Sequence, residues 1–274
     1  MLPYLPNFIP IDYRLFGLLP IRPFGILVVT AIIIGFHTGR RRAISVGLDR
    51  DTYERGFTWT LAIAFIISHI VDVTFYYPER ILADPLVLFK LWDGLSSMGG
   101  FFGAVVGVYV FFKLKMKVSA LQYAETFLFG IVPAWIFGRM GCTVVYDHPG
   151  IRTDFFLGMA YRDGIVRHNL GLYEMLFAIV LTTILYLARN KRPFHGFHFA
   201  LILVCYAPVR FLLDFLRTAD KHYWGLTPGQ YFAFAMIAVA VLLTLRGLKE
   251  GPPQPVKVKK PMRPAKPAKK KRRR

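Results

Sequence analysis

Apolar residues in this chain gather into long blocks rather than short periodic patterns. An α-helix rises about 1.5 Å per residue, so about 20 mostly apolar residues cross about 30 Å of hydrocarbon. Seven blocks reach that length, at roughly 21–38, 59–77, 97–113, 120–138, 170–188, 196–214 and 229–247. The pattern predicts an all-α membrane protein with about seven transmembrane helices in one domain over residues 1–250. The third block carries Gly99, Gly100, Gly103 and Gly107, small residues whose spacing lets helices approach closely in a bilayer. No internal repeat and no paired interrupted spans of the transporter kind are evident.

Charge sets the expected orientation. Arg40, Arg41, Arg42, Arg50 and Arg55 lie between the first two blocks. Lys113, Lys115 and Lys117 lie between the third and fourth, and Arg189, Lys191 and Arg192 between the fifth and sixth. Thirteen further Lys and Arg residues follow residue 245. By the positive-inside rule these face the cytoplasm, which places the N-terminus outside and the C-terminus inside. Segments 78–96, 139–169 and 215–228 then face outward.

Composition supports lipid as the solvent: 55% of the residues are hydrophobic, 16% aromatic, and the mean hydropathy is +0.43. The net charge of +19 raises nucleic acid as a partner, but the clustering of basic residues in a tail beside the last span argues against it. The tail, 251–274, reads as a disordered cytoplasmic segment attracted to anionic membrane lipids. Two cysteines, Cys142 and Cys205, make no disulfide framework, and their spacing marks no metal site. The first residues lack the features of a cleaved signal peptide, so the first span is expected to stay in the mature protein.

The polar residues of interest sit toward the outward side. Tyr206, Arg210 and Asp214 recur at every fourth position of the sixth block and so share a helical face, with Arg217 just beyond. An arginine in a span is costly and usually faces a cavity or partner. A structural Arg210–Asp214 pair is the simpler alternative. Arg139 closes the fourth block between Gly138 and Gly141. Its donor fork matches phosphate oxygens, although snorkelling to the interface would also account for it. Two arginines on one side of the bilayer favour an anionic lipid headgroup. Glu125 is expected to pair with a base on the cytoplasmic side. His69 and Asp72 suggest a local bond, and His148 and His168 are outward loop residues.

These motifs, in this order, resemble the bacterial prolipoprotein diacylglyceryl transferases over most of residues 20–247. FYYPERILADPLVLFKLWDG at 75–94 resembles the family's segment before its third span. GRMG at 138–141 resembles the start of its Gly-Arg-x-Gly-Asn signature, with Asp147 and Gly150 in the later acidic and glycine places. LYE at 172–174, the Tyr206–Arg217 face and GLTPGQ at 225–230 also have counterparts. The resemblance implies an enzyme of the bacterial cytoplasmic (inner) membrane that needs no cofactor. It would move the diacylglyceryl group of phosphatidylglycerol onto the lipobox cysteine thiol in the signal peptide of a prolipoprotein, with loss of glycerol phosphate. Arg139 then matches an arginine that contacts phosphatidylglycerol, and Tyr206 and Arg210 match an essential pair. Gly99, Gly100, Gly141, Gly150, Asp214 and Arg217 fall to substrate binding.

The chain also departs from that pattern. Met98 stands where a histidine usually precedes Gly-Gly, Phe24 where the first span usually has tyrosine, and Cys142 in place of the signature asparagine. Asp147 and Asp214 replace glutamates. Asp147 or His148 is then the expected source of the missing base. Three readings fit: an active, divergent transferase; a paralogue that binds phosphatidylglycerol without this chemistry; or an enzyme with a changed substrate. The first is favoured because Arg139, Tyr206, Arg210, Tyr173 and Glu174 all remain.

Overall fold

A computed structural model describes residues 1–4, 13–15, 19–91, 94–218 and 222–252. Trp92, Asp93 and the basic tail from residue 253 lie outside the described residues, as does most of the N-terminal stretch.

Among the described residues, seven helices are long and apolar enough to span a membrane. They are α1 (Pro23–Ser45), α2 (Arg50–Val71), α4 (Ser97–Val108), α5 (Ala120–Val145), α6 (Leu170–Leu187), α7 (Phe197–Asp214) and α8 (Pro228–Glu250). Two are prolonged by wider π-helical turns, α2 through Asp72–Tyr76 and α4 through Tyr109–Lys115. A short helix α3 (Pro78–Ala83) and a 3₁₀ turn (Pro85–Phe89) join α2 to α4. Phe75, Leu82, Leu86 and Phe89 stand exposed there and around much of the bundle other apolar side chains do too, as expected where lipid is the surrounding medium.

Every helix but α7, which follows Gly196, starts with a side-chain or proline signal. Asp49, Ser96, Ser119, Asn169 and Thr227 accept from backbone N–H groups in the first turns of α2, α4, α5, α6 and α8, and α1 opens on Pro23. Helices α1, α2 and α5 run past the apolar blocks. Arg40, Arg41, Arg42, Arg50 and Arg55 therefore lie on helix rather than in a loop, and Arg139 and Cys142 lie in the last turns of α5. Hydropathy marks only the part of a helix that needs lipid. The hydrogen-bond ladder continues beyond it whatever side chains the helix carries.

Small residues bring the helices together. On α2, Thr60, Ala64 and Ser68 face Gly107, Gly103 and Gly99 of α4; a Cβ at Gly103 would lie 2.8 Å from the Ala64 Cα, and one at Gly107 2.9 Å from the Thr60 Cα. On α1, Gly35 meets Gly130 of α5 backbone to backbone. Such ladders are how helices associate when lipid offers no hydrophobic driving force between them.

Among the described residues, two small sheets accompany the predominantly helical fold. Strands β1 (Tyr13–Leu15) and β2 (Leu19–Ile21) form an antiparallel pair before α1. Between α5 and α6, β3 (Pro149–Arg152), β5 (Val166–Asn169) and β4 (Met159–Ala160) form an antiparallel sheet in the order β3-β5-β4. Leu2 adds to β4, and Gly150 bridges to Arg217 beyond α7. The sheet thus ties the N-terminus and the α7 exit to one end of the bundle. The basic loops cap the other end. There Glu125 (3% exposed) contacts Arg192 at 3.4 Å and accepts from the His198 backbone N–H, the pairing expected for Glu125.

Candidate active site

At the sheet-bearing end, three helices contribute to one chain of charges. Glu174, 2% exposed on α6, is its hub. Its Oε2 lies 2.8 Å from the Nε of Arg139 on α5, and its Oε1 accepts from Nη1 of Arg210 on α7 at 3.2 Å. Nη2 of Arg210 reaches Oδ1 of Asp214 at 2.9 Å, and Nε of Arg217 lies 3.3 Å from the same oxygen. The Thr227 hydroxyl, at the start of α8, donates to the other Asp214 oxygen. Glu174 Oε2 and Asp214 Oδ1 are ion-paired, yet neither has an aligned hydrogen-bond donor. Both buried carboxylates therefore keep acceptor capacity.

Local sequence explains this convergence. Asn169 caps α6 and donates from Nδ2 to the Thr143 carbonyl of α5. Gly171 then rests on the α5 backbone, where a Cβ would lie 2.8 Å from the Thr143 nitrogen. That contact fixes the register of α6 and sets Glu174 against Arg139. On α8 the capping box of Thr227 and Gln230 fixes the first turn. Gly229 leaves room for Asp214 and Arg210, since a Cβ there would collide with the Asp214 carboxylate and lie 2.6 Å from Arg210 Nη2. A helix N-terminus favours the adjoining carboxylate.

Aromatic rings wall the arginines. The Tyr206 ring lies 4.7 Å from the Trp135 ring at a tilt of 58° and stacks on Phe177 at 6.3 Å, and the Arg139 guanidinium lies 5.6 Å over Trp135. Arg139 Nη1 also approaches the Cys142 sulfur at 3.9 Å. Beyond Cys142, the His148 ring nitrogen Nδ1 is 3.1 Å from Asp147 Oδ1.

The chain matches the family model described as prolipoprotein diacylglyceryl transferase over residues 10–246. The chain belongs to this family. Similar curated proteins, each called phosphatidylglycerol–prolipoprotein diacylglyceryl transferase, include that of Idiomarina loihiensis, 26% identical over 90% of this chain and 96% of its own. That of Bordetella bronchiseptica is 30% identical over 89% and 97%, and that of Chromohalobacter salexigens 28% over 89% and 90%.

Within this family member, the residues singled out in the sequence divide into three groups. Arg139, Tyr206, Arg210, Asp214 and Arg217 converge at the charged cluster. Asp147 and His148 lie beside Cys142, one turn of α5 from Arg139. The glycines take packing places. Gly141 carries the Phe24 ring, where a Cβ would meet Cδ2 at 2.8 Å. Gly150 is wedged between His168 of β5 and the Leu216 carbonyl, 2.9 Å from each by the same measure, and so holds the segment bearing Arg217. The contacts of Gly99 and Gly100 run to Val71 and Ser68 of α2 rather than to the charged cluster. Met98 is half exposed in the first turn of α4.

Two histidine expectations need correcting. His69 does not bond Asp72: its ring is fully buried, and its nitrogens face the carbonyls of Gly94 and Val87 at 2.9 and 2.8 Å. It thereby pins the loop before α4 onto α2, a contact no local spacing reveals. His168 is not a solvated loop residue. Its Nδ1 is 2.6 Å from the Tyr173 hydroxyl, and burial holds its pKa below the ordinary histidine value. In the sequence Glu174 is one of several residues that match the family pattern, and its central place is marked only by its position one turn after Asn-x-Gly.

Proposed function

We propose that the Arg139–Glu174–Arg210 cluster is where this chain transfers the diacylglyceryl group of phosphatidylglycerol to the cysteine thiol of a prolipoprotein. The carrying observation is that one buried carboxylate holds guanidiniums from two helices side by side. In the reaction the cysteine sulfur, as thiolate, attacks the glyceryl carbon that bears the phosphate. A C–S bond forms, the C–O bond breaks, and glycerol phosphate leaves with the electron pair.

The lipid phosphate carries about one negative charge before this step and up to two afterwards. Arginines in a water-poor site are suited to hold that growing charge. The ion-paired cluster of Arg139, Arg210, Arg217, Glu174 and Asp214 has a formal charge of plus one, matched to a phosphodiester. The unaligned oxygens on Glu174 and Asp214 suit the hydroxyls of a glycerol headgroup. Tyr206 lies within electrostatic reach of Glu174, Arg210 and Arg139 and orients the headgroup. The thiol proton passes to Asp147 or His148, the titratable pair at the edge of the site.

Basic residues concentrate at the end away from this site. That distribution supports a site facing outward from the bacterial cytoplasmic membrane, a cytoplasmic C-terminus, and a tail held near anionic lipid. The acceptor is then the lipobox cysteine of a signal peptide in the same bilayer. Incubating purified protein in phosphatidylglycerol liposomes with a lipobox peptide tests the reading. Mass spectrometry should show a diacylglyceryl adduct with the wild type and none with Arg139→Ala. Lack of an adduct with the wild type, despite Arg139-dependent lipid binding, would replace this reading with that of a lipid-binding relative.

A further inference from the structure

We propose that Cys142, Asp147 and His148 form a binding site for one divalent transition-metal ion of the zinc type. One ligand atom from each lies within 4.8 Å of the other two, and Asp147 Oδ1 and His148 Nδ1 are 3.1 Å apart. Zinc bonds of about 2.0–2.3 Å in a tetrahedron place neighbouring ligand atoms about 3.3–3.8 Å apart. Side-chain rotation of an ångström or so therefore completes the site.

The backbone explains why three residues so close in sequence converge. Tyr146 ends α5 in the left-handed region, at φ 57 and ψ 31. Only a braced non-glycine residue holds that conformation. Here the ring packs between Tyr4 and Tyr161, at 5.1 and 4.8 Å. The turn swings Asp147 and His148 back over the last helical turn, where Cys142 points. Regular helix would have carried them past it.

The donor set defines the ion. Thiolate, imidazole and carboxylate together suit zinc or cobalt, whereas magnesium and calcium take oxygen ligands. Three protein ligands leave the fourth position open for water or another oxygen ligand, and an ion held there occupies the groups assigned above as acceptors of the thiol proton, so the metal-bound protein is not the form that takes that proton. Binding converts the Cys142 thiol to a thiolate and releases its proton. Cys142 and His148 are partly buried while Asp147 is exposed, so an ion enters from the aqueous side. The sulfur stands where the family resemblance leads one to expect asparagine, whose amide is a poor ligand for zinc.

The test uses tag-free full-length protein in detergent, stripped with chelator and titrated with cobalt(II). One equivalent should bind with a sulfur-to-cobalt charge-transfer band in the near ultraviolet, and zinc(II) should bleach it. Cys142→Ser should abolish the band while Cys205→Ser retains it. His148→Ala should weaken binding about tenfold or more. Far-ultraviolet circular dichroism and elution volume show that each variant is folded. The proposal is overturned if the wild type gives no band, if folded Cys142→Ser keeps it, or if His148→Ala and Asp147→Asn both bind as the wild type does.

Discussion

Glu174→Gln tests the centre of the proposed site most directly. The substitution keeps the shape of the side chain and removes the charge that Arg139 and Arg210 share at 2.8 and 3.2 Å. The hydrogen bond from Arg210 to this charged acceptor contributes about 1.5–3 kcal/mol, and Arg139 loses its ion pair with the same carboxylate. Arg210 keeps Asp214 at 2.9 Å, so the larger loss falls on Arg139. A total near 3 kcal/mol is reasonable, and at 1.36 kcal/mol per factor of ten it corresponds to a fall of about a hundredfold in kcat/KM. Glu174→Asp, which keeps the charge one methylene short, should fall between the two. Phosphatidylglycerol binding should not fall in parallel, because removing a carboxylate leaves the cluster more positive. The assay is peptide lipidation in liposomes, alongside lipid binding by flotation. Lipidation by Glu174→Gln within about threefold of the wild type, or lipid binding that drops as far as its activity, would refute the role given to Glu174.

Further predictions follow from single contacts. Gly229→Ala should lower transfer about tenfold or more by displacing Asp214 and Arg210, although alanine favours helix by about 1 kcal/mol; a variant melting at or above the wild type but with reduced lipidation would isolate the effect to the site. Gly103→Leu should lower the melting temperature in detergent by overpacking the α2–α4 seam, at a cost of about 1–3 kcal/mol, and an unchanged melting curve would contradict the tight approach drawn here. His168 has a depressed pKa, so the folded state binds its proton less readily than the unfolded chain. Its contribution to stability is present above the unfolded value of about 6.5 and declines as pH falls from there through the lower folded value. His168→Gln should flatten that part of a stability-against-pH profile measured by thermal melting.

The spans were readable because the bilayer imposes a length that few other structures share. Their ends were harder to place. Arg139 and Cys142 remain helical beyond the apolar block because α5 continues as one helix from Ala120 to Val145, past Pro133. The sheet of β3, β4 and β5 was hidden because its strands are two to four residues long and partly polar, too short for alternation to register. The shared face of Tyr206, Arg210 and Asp214 followed from helical spacing alone. Glu174 did not, because its pairing depends on the register of α6 against α5. That register is set by Gly171 and Asn169, which look like ordinary cap residues until the helices are assembled. The convergence of Cys142 with Asp147 and His148 likewise hangs on one left-handed tyrosine.

The cluster's charge bears on turnover as well as binding. Two arginines left alone in a membrane would repel each other and draw in water or stray anions. The carboxylate between them keeps both guanidiniums together when no lipid is present. On the proposed reading, a phosphodiester entering the five-residue cluster brings its formal charge from plus one to zero, which favours binding in a water-poor site. Bond cleavage then leaves a glycerol phosphate of up to two negative charges, and the site becomes negative overall. The same carboxylates that assemble the arginines thus repel the leaving product. Removing Glu174 should therefore shift the slow step toward product release, visible as a first turnover that is faster than those that follow.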